Sequence, residues 1–305
     1  SSSDTGPWQA GFRKYARMST VAAGSASANS YIEIYTHLEA QDIANSGWDY
    51  GSASGNITLS FWFRCSANQT FYALLRSRDG TNQAYTFSFT ASGNNTWTKI
   101  THTIPGNSNL TFDNDNGSGL SLYWTPFYGT DYTNNKTLNT WAAYDQNNQT
   151  PDMASTWLTS GAATWDITGI QLEVGDTATS FEHRSYDEEL KRCKRYALVF
   201  NSNQAIGTGS AYNSTNINIH IYNQFRDIPT YSRTTGGAGY TWVVYYGASG
   251  HASASPTVSI ASDSSTDYCL RLYVQNCHTS MTAGQAVWAL THDGGGEQIV
   301  FSAEL

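Results

Sequence analysis

Charged residues are scarce in this chain. Asp, Glu, Lys and Arg make up 13% of its 305 residues, against about a quarter in an average soluble protein. Ser, Thr, Asn, Gly and aromatic residues are abundant instead, as is typical of all-β proteins that work outside cells or in virus particles. The net charge of -8 argues against a nucleic-acid-binding protein, because such proteins neutralise phosphates with many Lys and Arg residues. We therefore expect no nucleic-acid partner.

Long apolar runs are absent as well. No stretch approaches the ~20 residues needed to span a bilayer, and the opening SSSDTGPWQAGFRKYARM lacks the apolar centre of a signal peptide. We expect a soluble chain with neither membrane insertion nor a secretion signal. Because the opening residues resemble the first strand of a module, we also expect an attachment segment upstream of Ser1.

Cysteine is used sparingly. Cys65, Cys193, Cys269 and Cys277 form no CxxC pair, so a zinc site has little support. Cys269 and Cys277 would have α-carbons ~26 Å apart if CLRLYVQNC were one strand, against ~6 Å in a disulfide. We expect free thiols, as in proteins that are assembled in a reducing cytoplasm.

Catalytic motifs are missing too. A glycosidase needs two carboxylates about 5 to 10 Å apart, and the E-x-D-x-x-E strand of jelly-roll glucanases does not occur. We interpret Glu33, Glu39 and Glu173 as solvated or turn-bonding carboxylates. The chain has no GxSxG turn, HExxH helix or phosphate-binding loop. We expect no catalytic residues and no enzymatic activity, although carboxylates from separate strands can meet in space.

The chain is rich in short β-type segments bounded by Gly, Asn and Ser. In its first part these segments are 31–38, 56–65, 70–77, 84–91, 97–106, 119–124 and 165–174. Ile57, Leu59, Phe61 and Phe63 alternate with the residues between them, so one face of that strand should be buried. So many strands with regular turn signals predict a β-sandwich.

The alternation stops between residues 124 and 157, where the sequence is polar, Asn-rich and contains aromatic residues. This predicts a long connection with some structure of its own, and such loops often carry function. After Tyr196 a second all-β unit is predicted. Its six candidate strands are 217–225, 241–247, 256–262, 268–276, 286–293 and 297–305.

The residue pattern changes period between the two β-rich parts. Ser185 stands three residues before Glu188, which is the spacing of a capping box. We predict a helix of about ten residues that begins there. Leu190, Cys193 and Ala197 form its apolar stripe, which either packs on its own domain or makes a contact near the axis of a trimer.

Several motifs resemble one protein family. The runs ITGIQLEVG (167–175) and ATSFEHRSYDEELKRCKRY (178–196) resemble the end of a jelly-roll module common in tail-fibre and other appendage proteins of marine and cyanobacterial bacteriophages. Its usual form is ITGVQLEVG, ATPFE, RS, EEL, C and RY, and Ser180 replaces the usual proline. GNITLSFWFRCS, NTWTKITHTIPG and DNDNGSGLSL extend the resemblance over about the first two-thirds of the chain.

The resemblance implies a virion protein with three parts. These are a jelly-roll domain similar to a carbohydrate-binding module (1–182), a short linker helix (183–197) and a C-terminal β-sandwich tip domain (198–305). It also implies a homotrimer that attaches to other virion proteins through the upstream segment. Such a protein is assembled in the cytoplasm of the bacterial host and then resides in the virion, as a tail or capsid appendage.

Sugar recognition is the binding activity that the residues favour most. Pyranose rings pack their C–H faces on aromatic rings, and their hydroxyls bond to Asn, Asp and Gln. The candidates are Trp124, Tyr128, Tyr132, Asn134 and Asn135 in the first domain, and Tyr240, Trp242, Tyr245, Tyr246 and His251 in the second. We expect the second group to contact the receptor, because a fibre meets its host with its tip.

The segment from Asp113 to Gly119 resembles a calcium loop in its alternating oxygen donors. Trp124 stands where an EF-hand requires a glutamate, so an Asx-rich turn is the simpler interpretation. We expect no cofactor. Asp113 and Asp115 remain weak candidates for a structural calcium site, since carbohydrate-binding modules often hold one.

Together these features predict a non-enzymatic virion appendage, most simply a tail fibre that binds host-surface glycans. A first alternative is a purely structural virion protein, such as a capsid head fibre or a decoration protein. A second alternative is an exopolysaccharide depolymerase or a secreted polysaccharide-binding module.

Overall fold

The computed structural model describes residues 6–234, 242–246, 249–253, 256–261, 265–266, 268–292 and 296–304. The chain forms two compact units, one that ends at His183 and one that runs from Arg184 to Glu304. Both consist of antiparallel sheets with little helix. The prediction of an all-β sandwich protein is confirmed.

From residue 6 onward, the first unit contains nine strands and two short helices. The strands are β1 Ala16–Ser19, β2 Tyr31–Glu39, β3 Asn56–Cys65, β4 Asn68–Ser77, β5 Gln83–Ser92, β6 Thr98–Pro105, β7 Ser118–Tyr128, β8 Trp141–Ala143 and β9 Thr164–Val174, and the helices are α1 Ala40–Ala44 and α2 Thr156–Thr159. They form a four-stranded sheet in the order β1, β9, β3, β6 and a five-stranded sheet in the order β2, β7, β4, β5, β8.

Aromatic rings from both sheets fill the space between them. The ring centroids of Phe61 in β3 and Trp124 in β7 are 5.8 Å apart, and those of Phe63 in β3 and Phe71 in β4 are 5.5 Å apart, both edge to face. All four side chains are buried. Edge-to-face pairs add about 0.5–1.5 kcal/mol each beyond the burial of their area. Ile57, Leu59, Phe61 and Phe63 are buried, as the alternation predicted, but Thr58 and Ser60 on the opposite face are buried as well.

All seven strands predicted in this unit are present, but their surroundings contain more structure than the sequence indicated. Strand β7 continues beyond Trp124 to Tyr128, because it keeps pairing with β2 through the residues we assigned to a loop. Strand β8 was not predicted, and β1 was anticipated only as a first strand somewhere in the opening residues, without bounds. Both are edge strands that pair on one side only, β1 with β9 and β8 with β5, so their stability comes from the neighbouring strand and not from a local pattern.

Asp166 of β9 is a fully buried carboxylate held by two arginines. Arg17 of β1 donates from Nε and Nη2 to the two carboxylate oxygens, each at 2.8 Å, and Arg64 of β3 donates from Nε at 2.7 Å. Such bidentate contacts are strong and geometrically specific. The network thus links the edge strand β1 to the centre of the four-stranded sheet.

The described part of the second unit contains one helix and ten strands. The helix is α3 Tyr186–Tyr196, and the strands are β10 Ala197–Asn201, β11 Ala205–Ala211, β12 Ile217–Tyr222, β13 Thr230–Thr234, β14 Trp242–Tyr246, β15 Ser249–Ser253, β16 Thr257–Ile260, β17 Cys269–Gln275, β18 Ala286–Thr291 and β19 Gln298–Ser302. One sheet has the order β10, β19, β13, and the other has the order β15, β14, β18, β11, β12, β17, β16.

The core of the second unit also follows the predicted alternation. Ile217, Ile219 and Ile221 of β12 are buried, and β17 pairs with β12 and buries Leu272 and Val274. Each of the six predicted segments contains a strand. Four further strands, β10, β11, β13 and β15, were not predicted. Strand β11 has two glycines and no aromatic residue, and it is held by pairing with β12 and β18 on its two sides.

Helix α3 begins with the predicted capping box, in which the Ser185 hydroxyl accepts from the Glu188 backbone N–H and the Glu188 carboxylate accepts from the Ser185 N–H. The predicted stripe is not buried within the chain, because Leu190 is half-buried and Cys193 is exposed. Ala197 lies in β10 rather than on the helix, which corrects its assignment.

Nowhere in the described part of the chain is a helix long and apolar enough to cross a membrane.

Hydrogen bonds attach the C-terminal end of helix α3 to the second unit. The backbone N–H of Ala303 donates to the Tyr196 carbonyl at 2.7 Å, and that of Arg226 donates to the Arg195 carbonyl at 2.9 Å. The chain passes from Tyr196 into β10 without a loop. Its C-terminal end is therefore part of the second β-sandwich.

The four cysteines are free, as predicted. Cys65 and Cys277 are buried, and burial raises the pKa of the Cys65 thiol to about 11 and that of Cys277 to about 12. Both therefore remain protonated near neutral pH and act as small apolar core residues.

His102 of β6 is enclosed by aromatic side chains. Its ring stacks on Phe87 with centroids 4.0 Å apart and planes 5° from parallel, and Nε2 lies 3.2 Å from the Tyr85 hydroxyl. Burial lowers the pKa of His102 below 6.5. The unfolded chain therefore binds a proton at a higher pH than the folded chain, and this site loses stabilising free energy as the pH falls below 6.5.

The first prediction concerns Asp166. Asp166→Ala should lower the unfolding free energy of the first unit by about 3–5 kcal/mol, because it removes the carboxylate that serves Arg64, whose side chain is only 12% exposed. Arg17→Ala is the matched comparison. Its guanidinium is 43% exposed, so it should cost about 1 kcal/mol or less. Urea unfolding measures both, and equal losses would contradict the role given to burial.

The second prediction concerns His102. The unfolding free energy of wild type should fall as the pH is lowered through 6.5, and less steeply in His102→Phe, which keeps a ring against Phe87 but cannot titrate. Urea unfolding at several pH values measures the slope. Ile104→Val, on the same strand, should lower stability by about 0.5–1.5 kcal/mol at every pH without changing the slope. An unchanged slope in His102→Phe would assign the pH dependence to other groups.

Candidate functional site

The outer face of the five-stranded sheet carries tyrosines and charged residues. Strands alternate their side chains between two faces, so the residues next to buried Leu75 and Trp124 point away from the core. On this outer face lie Arg76 of β4 and Tyr123 of β7. Strand β2 adds Tyr35, whose ring centroid is 5.4 Å from that of Tyr123. Polar and aromatic side chains are thereby collected on one surface.

An irregularity in pairing brings the end of β7 into this surface. The register between β2 and β7 shifts between Ile32 and Ile34, opposite Thr125 and Pro126. A proline has no N–H for the ladder, so a strand interior tolerates it mainly at such a bulge. Beyond the bulge Tyr128 donates a hydrogen bond from its hydroxyl to Glu33 of β2.

Parts of the long polar connection of 129–155 lie against the same face. The Thr86 hydroxyl of β5 donates to the Gln149 carbonyl at 2.8 Å, and the Asn139 N–H donates to the Thr86 carbonyl at 2.8 Å. The connection is closed on itself by the Gln149 N–H, which donates to the Tyr132 carbonyl at 2.9 Å. These bonds hold the connection in place, as its composition predicted for an ordered loop.

Sheet and connection together enclose a cleft, called here the tyrosine cleft. It is lined by Tyr31, Glu33, Arg76, Tyr123, Tyr128, Tyr132, Tyr144, Gln146 and Gln149. Its volume is about 290 Å³, near the lower end of the ~300–1,000 Å³ usual for small-molecule sites. The cleft is thus large enough for a monosaccharide or the end of an oligosaccharide.

Tyrosine rings form one wall of the cleft. The ring centroid of Tyr132 is 5.4 Å from that of Tyr31 and 5.7 Å from that of Tyr128. Tyr31 is 58% exposed and Tyr132 is half-buried, so both present ring surface to solvent. Tyr128 is buried, and burial, together with the Glu33 carboxylate, raises the pKa of its hydroxyl. That hydroxyl therefore stays protonated as the donor to Glu33.

Charged and amide groups form the rest of the lining. The Arg76 guanidinium carbon lies 3.5 Å from the centroid of the Tyr144 ring, a cation–π contact. The side-chain amide of Gln149 donates to the Gln146 carbonyl at 3.1 Å. The cleft therefore combines apolar ring faces with a carboxylate, a guanidinium and amides, which is the mixture that sugar hydroxyls and ring faces require.

The structure separates the sugar-binding candidates of the first unit. Trp124 points into the core and is 1% exposed, so it packs against Phe61 and cannot stack on a sugar. Tyr132 lines the cleft. Tyr128 lines it only from beneath, since its side chain is buried. Asn134 and Asn135 are exposed but lie outside the lining.

Seven lining residues were not predicted as site residues, namely Tyr31, Glu33, Arg76, Tyr123, Tyr144, Gln146 and Gln149. A signal existed for Tyr123, because Leu122 and Trp124 on either side of it belong to the buried set of β7, and alternation then places Tyr123 on the outer face. No local signal identified Tyr144, whose position depends on the folding of the connection over the sheet.

The candidates of the second unit are dispersed. Tyr240 lies outside the described residues. Trp242 is fully buried, and its indole N–H donates to the Tyr231 hydroxyl at 2.9 Å, so it is a core residue and not a ligand contact. Tyr246 and His251 both contact the His278 ring, at centroid distances of 4.8 and 4.7 Å.

Tyr245 is the remaining candidate of that unit, and it stacks on Trp288, with centroids 4.7 Å apart. This Tyr245–Trp288 pair lies on the outer face of the seven-stranded sheet, where Trp288 is 40% exposed and borders an open depression with Thr208, His220 and Tyr222. Trp288 was not predicted. The surface is flatter than the tyrosine cleft and has fewer hydrogen-bonding groups.

The calcium candidates form an Asx turn. The Asp115 carboxylate accepts from the Gly117 N–H at 2.8 Å, and Asp79 accepts from the Asp113 N–H at 3.1 Å. Burial, with the carboxylates of Asp113 and Asp115 nearby, raises the pKa of Asp79. Among the residues that the structure describes, no group of three or more His, Cys, Asp or Glu residues is arranged to hold a metal ion.

Comparisons with known proteins identify no family. No family model matches the chain, and no curated protein matches it. Among solved structures, a chain described as Red Clover Necrotic Mosaic Virus is similar at 10% identity, over 95% of this chain and 97% of that chain, with a TM-score of 0.16. A TM-score this low carries no argument about fold or function.

The third prediction concerns calcium. Since one oxygen each of Asp79 and Asp115 accepts from a backbone N–H, and no group among the described residues is arranged to hold a metal ion, calcium and EDTA should leave the melting temperature of the chain unchanged. Asp115→Asn keeps an acceptor for the Gly117 N–H and should melt like wild type, whereas Asp115→Ala loses the turn hydrogen bond, worth about 1 kcal/mol. A melting temperature that rises with calcium in wild type but not in Asp115→Asn would contradict the Asx-turn interpretation.

Proposed function

We propose that this chain is a non-enzymatic virion appendage protein, such as a tail fibre, which binds host-surface glycans through the tyrosine cleft. The observation that carries the binding proposal is the exposed ring surface of Tyr31 and Tyr132 beside hydrogen-bonding groups in one cavity. The virion role is supported by the sequence motifs of residues 167–196 and by the low charge content. Both features fit an all-β protein of a virus particle.

The geometry favours the first unit over the second as the glycan site, which reverses our expectation from the sequence. The second unit has one exposed aromatic pair on an open sheet face, and Trp242 is part of its core. The tyrosine cleft surrounds a ligand on several sides and offers both acceptors and donors. A concave site buries more of a small ligand than a flat one.

A shallow cleft is sufficient for this function if several copies act together. We propose a homotrimer, as the family resemblance implies. Linked sites raise the effective affinity by about 10²–10⁴ when they engage one surface simultaneously. Weak binding by one cleft is therefore compatible with firm attachment of a particle.

The cleft supports binding rather than hydrolysis. Glycoside hydrolysis uses two carboxyl groups about 5 to 10 Å apart, and Glu33 is the one carboxylate among the described lining residues. Its carboxylate is also engaged by the Tyr128 hydroxyl. We therefore propose a binding role without enzymatic activity.

The fourth prediction tests the glycan site. On immobilised bacterial surface polysaccharides, Tyr31→Ala and Tyr132→Ala should each weaken binding about two- to tenfold, since an aromatic contact is worth about 0.5–1.5 kcal/mol. Trp288→Ala removes an exposed aromatic ring from the second unit and serves as the matched control. It should bind like wild type.

The outcomes separate the candidate functions. A loss in Trp288→Ala alone would place the site on the second unit. If wild type, presented as a multivalent array, binds no polysaccharide and adsorbs to no cells, glycan binding is wrong and a purely structural virion role becomes the better proposal. Release of reducing ends from the polysaccharide would establish a depolymerase instead.

A further inference from the structure

Two arginines lie on the outer face of the five-stranded sheet at the tyrosine cleft. Arg76 is in β4 and lines the cavity, and Arg78 follows one residue after the end of that strand and donates to the Tyr123 hydroxyl. The hydrogen bonds of Arg78 to Ser121 and Tyr123 place it on the same face as Arg76. This is a local concentration of positive charge in a chain where 24 acidic residues outnumber 16 basic ones.

The described acidic residues do not neutralise this pair. The one lining carboxylate, Glu33, accepts from the Tyr128 hydroxyl, and within the described residues no ion pair joins Arg76 or Arg78 to a carboxylate. Arg78 donates from Nε to the Ser121 hydroxyl at 2.8 Å, so its hydrogen-bond partners are neutral. The cleft region thus carries two guanidinium charges against one carboxylate.

Arg76 also has more N–H donors than it has hydrogen-bond acceptors around it. A guanidinium has five N–H donors. Arg76 packs on the face of the Tyr144 ring and donates to the Tyr123 hydroxyl. It also donates from Nη2 to the side-chain oxygen of Asn82 at 2.7 Å, with the Asn82 amide turned so that its oxygen faces Arg76. Its Nε is buried without a hydrogen-bond partner. Burial, followed by the charge of Arg78, lowers the pKa of Arg76. Keeping the Arg76 guanidinium charged therefore costs the folded protein free energy, and an anion bound beside it would offset that cost.

We propose that the tyrosine cleft selects an anionic saccharide and binds its carboxylate or sulfate group at Arg76. The planar guanidinium, held against Tyr144, is suited to two parallel hydrogen bonds with such a group. Tyr31 and Tyr132 cover the apolar face of the sugar ring, and Glu33 accepts from a sugar hydroxyl. This inference rests on the proposed glycan binding and adds the charge of the ligand.

The test uses the full chain and matched polymers. Polygalacturonate is compared with the same polymer after reduction of its carboxyl groups, and dextran sulfate is compared with dextran. Each is tested with wild type, Arg76→Gln and Arg13→Gln. Arg13 lies over the Trp8 ring, at 3.9 Å from its guanidinium carbon to the ring centroid, and is not among the residues that line the cleft. Arg13→Gln therefore changes the net charge equally.

Wild type should bind at least one acidic polymer tenfold or more tightly than its neutral counterpart. Arg76→Gln should lose most of that preference, Arg13→Gln should keep it, and both should bind the neutral polymers as wild type does. Preference for polygalacturonate identifies a carboxylate ligand, and preference for dextran sulfate identifies a sulfate ligand. If Arg76→Gln does not fold, Arg76→Lys keeps the charge and should lose part of the preference, because Lys cannot form the paired hydrogen bonds.

Other results overturn the inference. Equal binding of acidic and neutral polymers refutes charge selection while glycan binding stands. Equal weakening by Arg76→Gln and Arg13→Gln shows general charge attraction rather than a site at Arg76. Binding to none of the polymers nor to any bacterial polysaccharide refutes the proposed function together with this inference.

Discussion

Strand alternation in the five-stranded sheet is the constraint on which the candidate site depends. Each of β4 and β7 directs one set of side chains into an aromatic core and the other set outward. Trp124 and Tyr123 are neighbours in the chain, yet the first packs on Phe61 and the second faces the cleft. A slip of one residue would exchange these faces. The core packing therefore fixes which residues can meet a ligand.

The polar connection after β7 completes the site because its backbone groups find partners on the sheet. Thr86 both donates to the connection through its hydroxyl and accepts from Asn139 through its carbonyl. Asn139 adopts a φ of 58°, a left-handed conformation that asparagine tolerates better than most residues. An Asn-rich segment without strand or helix periodicity can thus be ordered, and it brings Tyr132 and Tyr144 over the sheet.

The aromatic residues of the chain divide into two classes that composition does not distinguish. Trp124 and Trp242 are buried in the two cores, although the sequence around each of them made it a candidate for sugar binding. Tyr31 and Trp288 are exposed, although the sequence around them did not indicate a binding role. Aromatic rings stabilise cores and bind ligands through the same apolar surface, so only burial decides which task a given ring performs.

Contacts between residues far apart in the chain explain why Arg76 was not predicted as a site residue. Arg76 follows Leu75 in a strongly apolar strand, and nothing adjacent to it in the sequence is acidic. Its significance comes from Tyr144, 68 positions later in the numbering, and from the absence of a carboxylate partner among the described residues. Such a property belongs to the surface that the fold assembles.

Local periodicity, capping signals and residue spacing were sufficient to predict the all-β class, the positions of most long strands, the capped helix that follows Ser185 and the free cysteines. The short edge strands, the faces of the aromatic residues and the tyrosine cleft became visible only in the folded chain. These depend on sheet register and on hydrogen bonds between residues far apart in the chain, and no local pattern encodes such contacts.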